Sequence, residues 1–275
     1  MNKMIRIAWW GLHGGEEPPL VSQQGAGTIF FSSCNLHCVY CQNYQISQEG
    51  IGKNYSLKDL VKIMLQLQKQ GAPNIDLVTP TIWAESIRTA IVEAKKKGLD
   101  IPIVWNTNVY EDVDLLQKLQ GLVDVYLPDF KYGNDELGFK YSGVKNYAEK
   151  ATAAIQEMLK QVGHLQLSSK NIAQKGVIVR HLILPNNVEN SLRVLDYLKE
   201  IDKNLWISLM AQYEPLYKAK DFPEINRNIT QEEFEAVLHR WQELGFHHGW
   251  TQEIGSNLSL LPDFTRENPF ARIND

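Results

Sequence analysis

The sequence predicts an α/β fold built on a parallel sheet, and three observations carry that expectation. Six short β-branched or aromatic runs alternate with amphipathic helical stretches along the 275 residues. No two-residue hairpin turn joins one run to the next, so each strand must be reached by a crossover. No strand is followed by a GxGxxG or GxxxxGK loop, so the common nucleotide-binding open sheets are without their signature. Periodicity alone does not decide whether the sheet closes.

The first 24 residues hold few periodic signals, and Gly14-Gly15-Glu16-Glu17-Pro18-Pro19 reads as a turn-rich, ordered loop. Gly27 to Ser32 is the first strand, ending at a cysteine loop. Ser56-Leu57-Lys58-Asp59 has the form of a helix cap, and Leu57, Leu60, Val61, Met64, Leu65 and Leu67 then recur at helical spacing up to Gly71. Ile75 to Thr79 is a strand stopped by Pro80, Ala84 to Lys97 a helix stopped by Gly98, and Ile101 to Asn106 a strand. Val113 to Leu119 is a short helix and Val123 to Leu127 a strand ended by Pro128. An insertion over 132–175 has as its clearest part a helix from Tyr147 to Val162. Gly176 to Leu184 is the strongest strand; a helix from Glu189 to Ile201, a strand from Leu205 to Met210 and a helix from Gln231 to Leu244 complete the series. In the last 30 residues Leu258, Leu260, Leu261, Phe264 and Phe270 stand in irregular context and are expected to drape over the core.

Composition narrows the class. Hydrophobic residues are 44% and charged residues 22%, as in an ordinary globular chain. A net charge of −4, from 28 basic and 32 acidic residues, leaves no basic excess for phosphates, which disfavours nucleic acid as a partner. No run of about eighteen apolar residues and no secretory h-region occurs, so the expectation is a cytoplasmic protein without membrane association.

All three cysteines lie in one stretch, Cys34-Asn35-Leu36-His37-Cys38-Val39-Tyr40-Cys41, spaced CxxxCxxC. Three thiolates so close can hold one metal centre, and the loop suits three corners of a cubane iron-sulfur cluster with the fourth iron open. An odd number of cysteines in one loop also fits a reducing compartment. Ordinary buried cysteines would be scattered over apolar faces, whereas these sit among Asn35, His37, Gln42 and Asn43. Zinc held by Cys34, Cys38, Cys41 and His37 is the serious rival; against it, the adjacent His37 and Cys38 cannot easily both face one tetrahedral ion.

Polar residues collect where the strands end: Thr79-Pro80-Thr81, Asn106-Thr107-Asn108, Asp129-Phe130-Lys131, Arg180-His181 and Met210-Ala211-Gln212. One such residue is usually a cap or turn former. Five ends on one rim favour a site over caps, because parallel α/β barrels do chemistry at the carboxyl ends of their strands. Arg180, inside an apolar strand, is a natural partner for a carboxylate, and Asp129 and Lys131 share a side if period two persists past Pro128.

The cysteine spacing, with Tyr40 just before the last cysteine, resembles the signature of the radical SAM superfamily. Asp129-Phe130-Lys131, Thr107-Asn108 and Val179-Arg180-His181 through Pro185 are similar to elements of glycyl-radical-enzyme activating proteins, especially the pyruvate formate-lyase activating-enzyme-like group, and the likeness spans nearly the full chain. It implies a partial (β/α)6 TIM-type barrel in a single domain over 1–275, with an N-terminal extension (1–24), the barrel (25–245) and a C-terminal tail (246–275). It further implies a 4Fe-4S cluster on Cys34, Cys38 and Cys41, S-adenosylmethionine on the fourth iron, Tyr40 against adenine, and Asn108, Asp129, Lys131 and Arg180 holding the rest. Relatives of the group can carry a cysteine-rich leader; this sequence shows none, so no second cluster is expected. Three positions depart from the pattern. Val109 and Asn186 replace glycines and are expected to alter turn shape only; Thr79-Pro80-Thr81 replaces a Gly-Gly-Glu that holds the methionine amino group.

The implied reaction is reductive cleavage of S-adenosylmethionine to methionine and a 5'-deoxyadenosyl radical that abstracts a hydrogen atom. No protein general base is needed. The electron implies a flavodoxin- or ferredoxin-like donor, and the partner implied is a glycyl-radical protein such as pyruvate formate-lyase. The alternative is a non-catalytic iron-sulfur protein that transfers electrons or senses redox state. The substrate itself is not written in these residues; the insertion, the Gly14 to Pro19 loop and the tail are the expected walls of its cleft. Trp9, Trp10, Trp83 and Trp250 read as packing.

Overall fold

The structure, a computed structural model, describes residues 4–252 and 261–271. In chain order its elements are β1 (Met4–His13), β2 (Ala26–Phe31), α1 (Tyr44–Ser47), β3 (Lys53–Ser56), α2 (Leu57–Lys69), β4 (Ile75–Val78), α3 (Ala84–Lys96), β5 (Ile103–Thr107), α4 (Val113–Gln117), β6 (Val125–Pro128), α5 (Asp135–Ser142), α6 (Tyr147–Val162), β7 (Gln166–Leu167), β8 (Ala173–Leu182), α7 (Val188–Ile201), β9 (Trp206–Met210), α8 (Gln231–Glu243) and β10 (Gly249–Thr251). The strands pair in the order β10-β9-β8-β6-β5-β4-β2-β1-β3, with β7 beside β8. Along this path every pairing from β2 to β10 is parallel, whereas β7 pairs antiparallel with β8. Among the described residues the two ends of this path do not pair with each other, so the sheet is a partial barrel.

Three expectations need correction. Where few periodic signals were read in residues 1–24, Met4–His13 forms β1, which pairs antiparallel with both β2 and β3. Alternation was present there, with Ile5 and Ile7 buried, but Arg6 interrupts the apolar run; its Nε donates outward to the Gly50 carbonyl at 2.7 Å. The six predicted strands gain a seventh parallel member, β10, so the tail begins as part of the sheet. The insertion holds α5 and β7 besides the expected helix α6. Of the tail residues singled out above, Leu258 and Leu260 lie outside the described residues. Phe264 and Phe270 pack with Trp9 and Phe30, and Phe270 lies 4.0 Å from His13, centroid to centroid. Among the described residues no helix is long and apolar enough to cross a membrane.

The helices form where sequence and capping agree. At α2, the Ser56 hydroxyl accepts from the Asp59 N–H at 3.2 Å while Asp59 accepts back from the Ser56 N–H at 3.1 Å, closing a capping box. Leu60, Val61, Ile63, Met64 and Leu67 then face the core.

Side chains along the strands divide by period two. One set, including Ile29, Leu77, Trp105, Tyr126, Val179 and Ile207, joins the helices in the main core. The other face carries a second cluster of Leu20, Val104, Val125, Leu127, Ala173 and Ile178. Leu20 comes from the loop between β1 and β2, which also accepts a hydrogen bond from Asn74 Nδ2 on the Leu20 carbonyl at 2.8 Å. The loop thus fills the inside of the partial barrel, and Glu16 and Glu17 enter with it.

Val109 and Asn186 were expected to alter turn shape, yet their backbone takes a conformation open to glycine itself. Val109, Asn186 and Thr79 have φ of 59°, 57° and 57°, the left-handed conformation that glycine adopts without strain. For Val109 a cost of about 1–2 kcal/mol is offset by complete burial of its side chain, worth about 1.5–3 kcal/mol. Asn186 tolerates the conformation better and ties it down, its Nδ2 donating to the Glu224 carbonyl at 2.6 Å and its Oδ1 accepting from Arg227 at 2.7 Å.

Candidate active site

The cysteine loop leaves β2 at the carboxyl rim and is pinned from two sides. His37 N–H donates to the Ser142 carbonyl at 3.2 Å, Val39 N–H to the Tyr141 carbonyl at 2.8 Å, and Lys218 N–H to the Val39 carbonyl at 2.8 Å. Held so, Cys34, Cys38 and Cys41 all face one cleft, whose walls also include Tyr40, Asn108, Asp129, Lys131 and Arg180. The structure therefore gathers all eight residues selected from the sequence. Each sulfur meets a polar side chain: Asn108 Nδ2 at 3.2 Å from Cys34, Ser142 Oγ at 2.9 Å from Cys38, Ser47 Oγ at 3.2 Å from Cys41.

Period two explains the opposite wall. Phe30, Val78, Asn106, Asp129, Arg180 and Met210 stand on the strand face turned from the helices and line the cleft. His181, one residue on, points the other way and is fully buried between the Phe130 carbonyl (2.7 Å) and Ser191 Oγ (2.8 Å). Arg180 does not offer a free fork: Nε donates to Asp129 at 2.6 Å, Nη2 to Asn106 Oδ1 at 2.6 Å, and Nη1 lies 3.5 Å from Glu16. The second Asp129 oxygen accepts from Lys131 Nζ at 2.8 Å. Of the Thr79-Pro80-Thr81 turn, Thr79 lines the cleft, whereas Thr81 Oγ1 donates to buried Glu111 at 2.7 Å. His37, the fourth ligand of the zinc reading, meets Gln48 Oε1 at 2.8 Å and is not on the cleft wall. Among the described residues no three His, Cys, Asp or Glu side chains converge tightly enough for a single ion. A cubane, with its thiolates at separate corners, does not require that.

Residues 28–165 match the Radical SAM superfamily, half of the chain. The chain belongs to the Radical SAM superfamily. An uncharacterised protein of Methanocaldococcus jannaschii is 38% identical over 237 residues, covering 82% of this chain and 64% of that protein, so the chain spans less than two thirds of that relative. The pyruvate formate-lyase 1-activating enzyme of Escherichia coli (strain K12) is 23% identical over 228 residues, 74% of this chain and 86% of the enzyme. Among solved structures, Streptococcus suis SuiB aligns with a TM-score of 0.55 at 14% identity, over 81% of this chain and 47% of that one, a likeness of fold.

Radical SAM proteins use a 4Fe-4S cluster and S-adenosylmethionine, and the residues here fit both. The cleft encloses about 240 Å3, many times the roughly 10–15 Å3 that one water needs. Burial, then the neighbouring Cys38, pushes the Cys34 thiol up to about 11 and the Cys41 thiol up to about 12; burial raises Cys38 too. Three crowded thiols that resist ionising on their own are what a cationic metal centre reverses. On the facing wall, burial opposes the charge of Asp129, but Arg180 and Lys131 more than offset it and hold its carboxyl below the usual range. Lys131 is raised in turn: burial works against its charge, and Asp129 and Cys38 outweigh that.

The sequence reading missed Asp76 and gave Glu16 no role. Asp76 carried a signal, a lone charge inside Ile75-Asp76-Leu77-Val78. The Glu16 and Asp76 carboxylates both accept from Asn106 Nδ2 in the barrel interior, at 3.4 and 3.5 Å, and burial raises both above the usual range; the charge of Glu16 adds to the rise at Asp76. A folded pKa above the unfolded one stabilises below the ordinary carboxylate range, and that contribution is lost as pH rises through the raised values. Asp76→Asn is therefore expected to stabilise the fold at pH 8, by about 1–3 kcal/mol, with the difference closing towards pH 4. Urea unfolding at the two pH values checks it; an equal difference at both rejects a raised Asp76.

Proposed function

We propose that this protein reductively cleaves S-adenosylmethionine and directs the resulting 5'-deoxyadenosyl radical at a glycyl-radical protein. The observation that supports this is the single cleft in which the CxxxCxxC thiols face the Asp129, Lys131 and Arg180 wall. When bound, the cluster supplies the electron that breaks the carbon-sulfur bond. Cys34, Cys38 and Cys41 would hold its three protein-ligated irons. Asn108 would fix the Cys34 corner through its 3.2 Å contact. Lys131, which gives one of its three N–H donors to Asp129, would meet the methionine carboxylate, and Asp129 the ammonium. Arg180, bound to Asp129, Asn106 and Glu16, holds Asp129 in place. Tyr40, its hydroxyl anchored 2.6 Å from Tyr132, would offer its ring to the adenine. The likeness to the E. coli activating enzyme supports a protein target. An electron donor of the flavodoxin or ferredoxin class would serve the reaction.

The test is anaerobic reconstitution with iron and sulfide, then dithionite and S-adenosylmethionine. Formation of 5'-deoxyadenosine and methionine is expected; no product from a fully loaded cluster rejects the reading. Anaerobic pull-down of a glycyl-radical protein, and its activation, checks the choice of target.

A further inference from the structure

We propose that a buried chain of hydroxyls, from Tyr40 through Tyr132 and Ser142 to the Cys38 sulfur, sets how readily the cluster takes up its electron. Tyr132 and Ser142 are then positioning residues that stand behind the cleft wall. The inference rests on the cluster reading above and adds the residues that govern its reduction.

The chain is unbroken: Tyr40 Oη lies 2.6 Å from Tyr132 Oη, Tyr132 Oη 2.6 Å from Ser142 Oγ, and Ser142 Oγ 2.9 Å from Cys38 Sγ. Its direction follows from the available protons. A ligand thiolate has none, so Ser142 must donate to Cys38. With that proton committed, Tyr132 must donate to Ser142, and Tyr40 to Tyr132. Every O–H therefore points towards the sulfur. Tyr132 and Ser142 are fully buried, and Tyr40 and Cys38 nearly so. In such surroundings aligned hydroxyls polarise one another, and the last bond is stronger than one from an isolated serine.

The fold delivers these groups for more than packing. Ser142 closes α5, where Gly143 (φ 72°) turns the chain, and its carbonyl accepts the His37 N–H while its hydroxyl meets Cys38. Tyr132 directly follows the Asp129-Phe130-Lys131 segment. The chain thus joins the cysteine loop to the segment bearing Asp129 and Lys131. The other sulfurs have shorter support: Cys34 has Asn108 and the Leu36 N–H, and Cys41 has Ser47, itself backed by Gln48.

Reduction adds one electron, from a donor of the flavodoxin or ferredoxin class, and needs no proton transfer along the chain. Charge rises on the thiolate sulfurs, the hydrogen bond to Cys38 strengthens, and the reduced state is favoured; hydrogen bonds to sulfur are among the factors that set cluster potentials. Cutting the chain makes reduction harder.

The experiment compares wild type, Ser142→Ala, Ser142→Thr and Tyr132→Phe, reconstituted anaerobically and titrated electrochemically with electron paramagnetic resonance, in the absence of S-adenosylmethionine. Ser142→Ala should lower the one-electron reduction equilibrium about tenfold, about 59 mV. Tyr132→Phe should lower it about threefold, and Ser142→Thr should leave it within about twofold. Tyr132→Phe is decisive, since it keeps the ring and its packing while removing a proton one residue away from the sulfur's own donor. Fully loaded Ser142→Ala and Tyr132→Phe with the wild-type potential overturn the inference and leave the cluster reading intact. A wild-type protein that assembles no cluster, seen in iron content before any titration, overturns both.

Discussion

Cys38→Ala is expected to give a folded, colourless protein whose 5'-deoxyadenosine formation falls to background, a loss of about a thousandfold or more. The chain has three cysteines and all three stand on the cleft wall, so no spare thiol can take over the vacated corner. Folding is affected far less. The substitution removes one sulfur from the margin of the main core and its bond from Ser142, costing on the order of 1 kcal/mol, while the strand and helix side chains of that core remain. Cys34→Ala and Cys41→Ala should behave alike, because the three thiols serve one centre. The measurements are circular dichroism for the fold, iron and sulfide content for the cluster, and chromatography for the nucleoside product. A variant that keeps both its iron and its turnover would show that the cysteine in question is no ligand. Loss of iron together with loss of fold would instead make the loop a structural element first.

Much of the rim was legible because parallel strands obey a strict alternation. Asp129 and Arg180 fall on the face turned from the helices, and they sit opposite each other in an isolated parallel bridge. Alternation also separates Arg180 from His181, a distinction that could have been drawn before the structure, had the strand's phase been fixed on Val177 and Val179. The contents of the barrel interior were not legible. Nothing in Gly15-Glu16-Glu17-Pro18 says that the loop turns inward, since glycine and proline mark a turn and not its destination. Its carboxylates find partners distant in sequence, Arg180 for Glu16 and the Trp250 indole for Glu17. β1 was missed for a related reason: an antiparallel strand at the edge of a parallel sheet needs no helix to announce it. The left-handed turns at Thr79, Val109 and Asn186 show the converse, a backbone shape that glycine favours made here without it.

Asp129→Ala is expected to destabilise the protein by about 3–5 kcal/mol, because it leaves two buried cations without their shared anion. Arg180 and Lys131 both depend on it, through contacts of 2.6 and 2.8 Å. Arg180 keeps Asn106 and the more distant Glu16, but among the described residues Lys131 forms no ion pair with a second carboxylate. Asp129→Asn should lie between wild type and Asp129→Ala, since it keeps the shape and an acceptor without the charge. The double variant Asp129→Ala with Arg180→Ala should be less damaged than the sum of the singles, by about 1–3 kcal/mol in a double-mutant cycle. Acid provides an independent check with a definite sign. The Asp129 carboxyl lies below its usual range in the folded state, so its contribution is present above the unfolded pKa and is lost as pH falls through the lowered value. Asp76 runs the opposite way. Asp129→Asn should therefore differ most from wild type at neutral pH and approach it in strong acid, whereas Asp76→Asn approaches wild type already near pH 4. Urea unfolding across pH measures both, and equal slopes for the two variants would mean that Arg180 and Lys131 do not hold the Asp129 charge as the geometry requires.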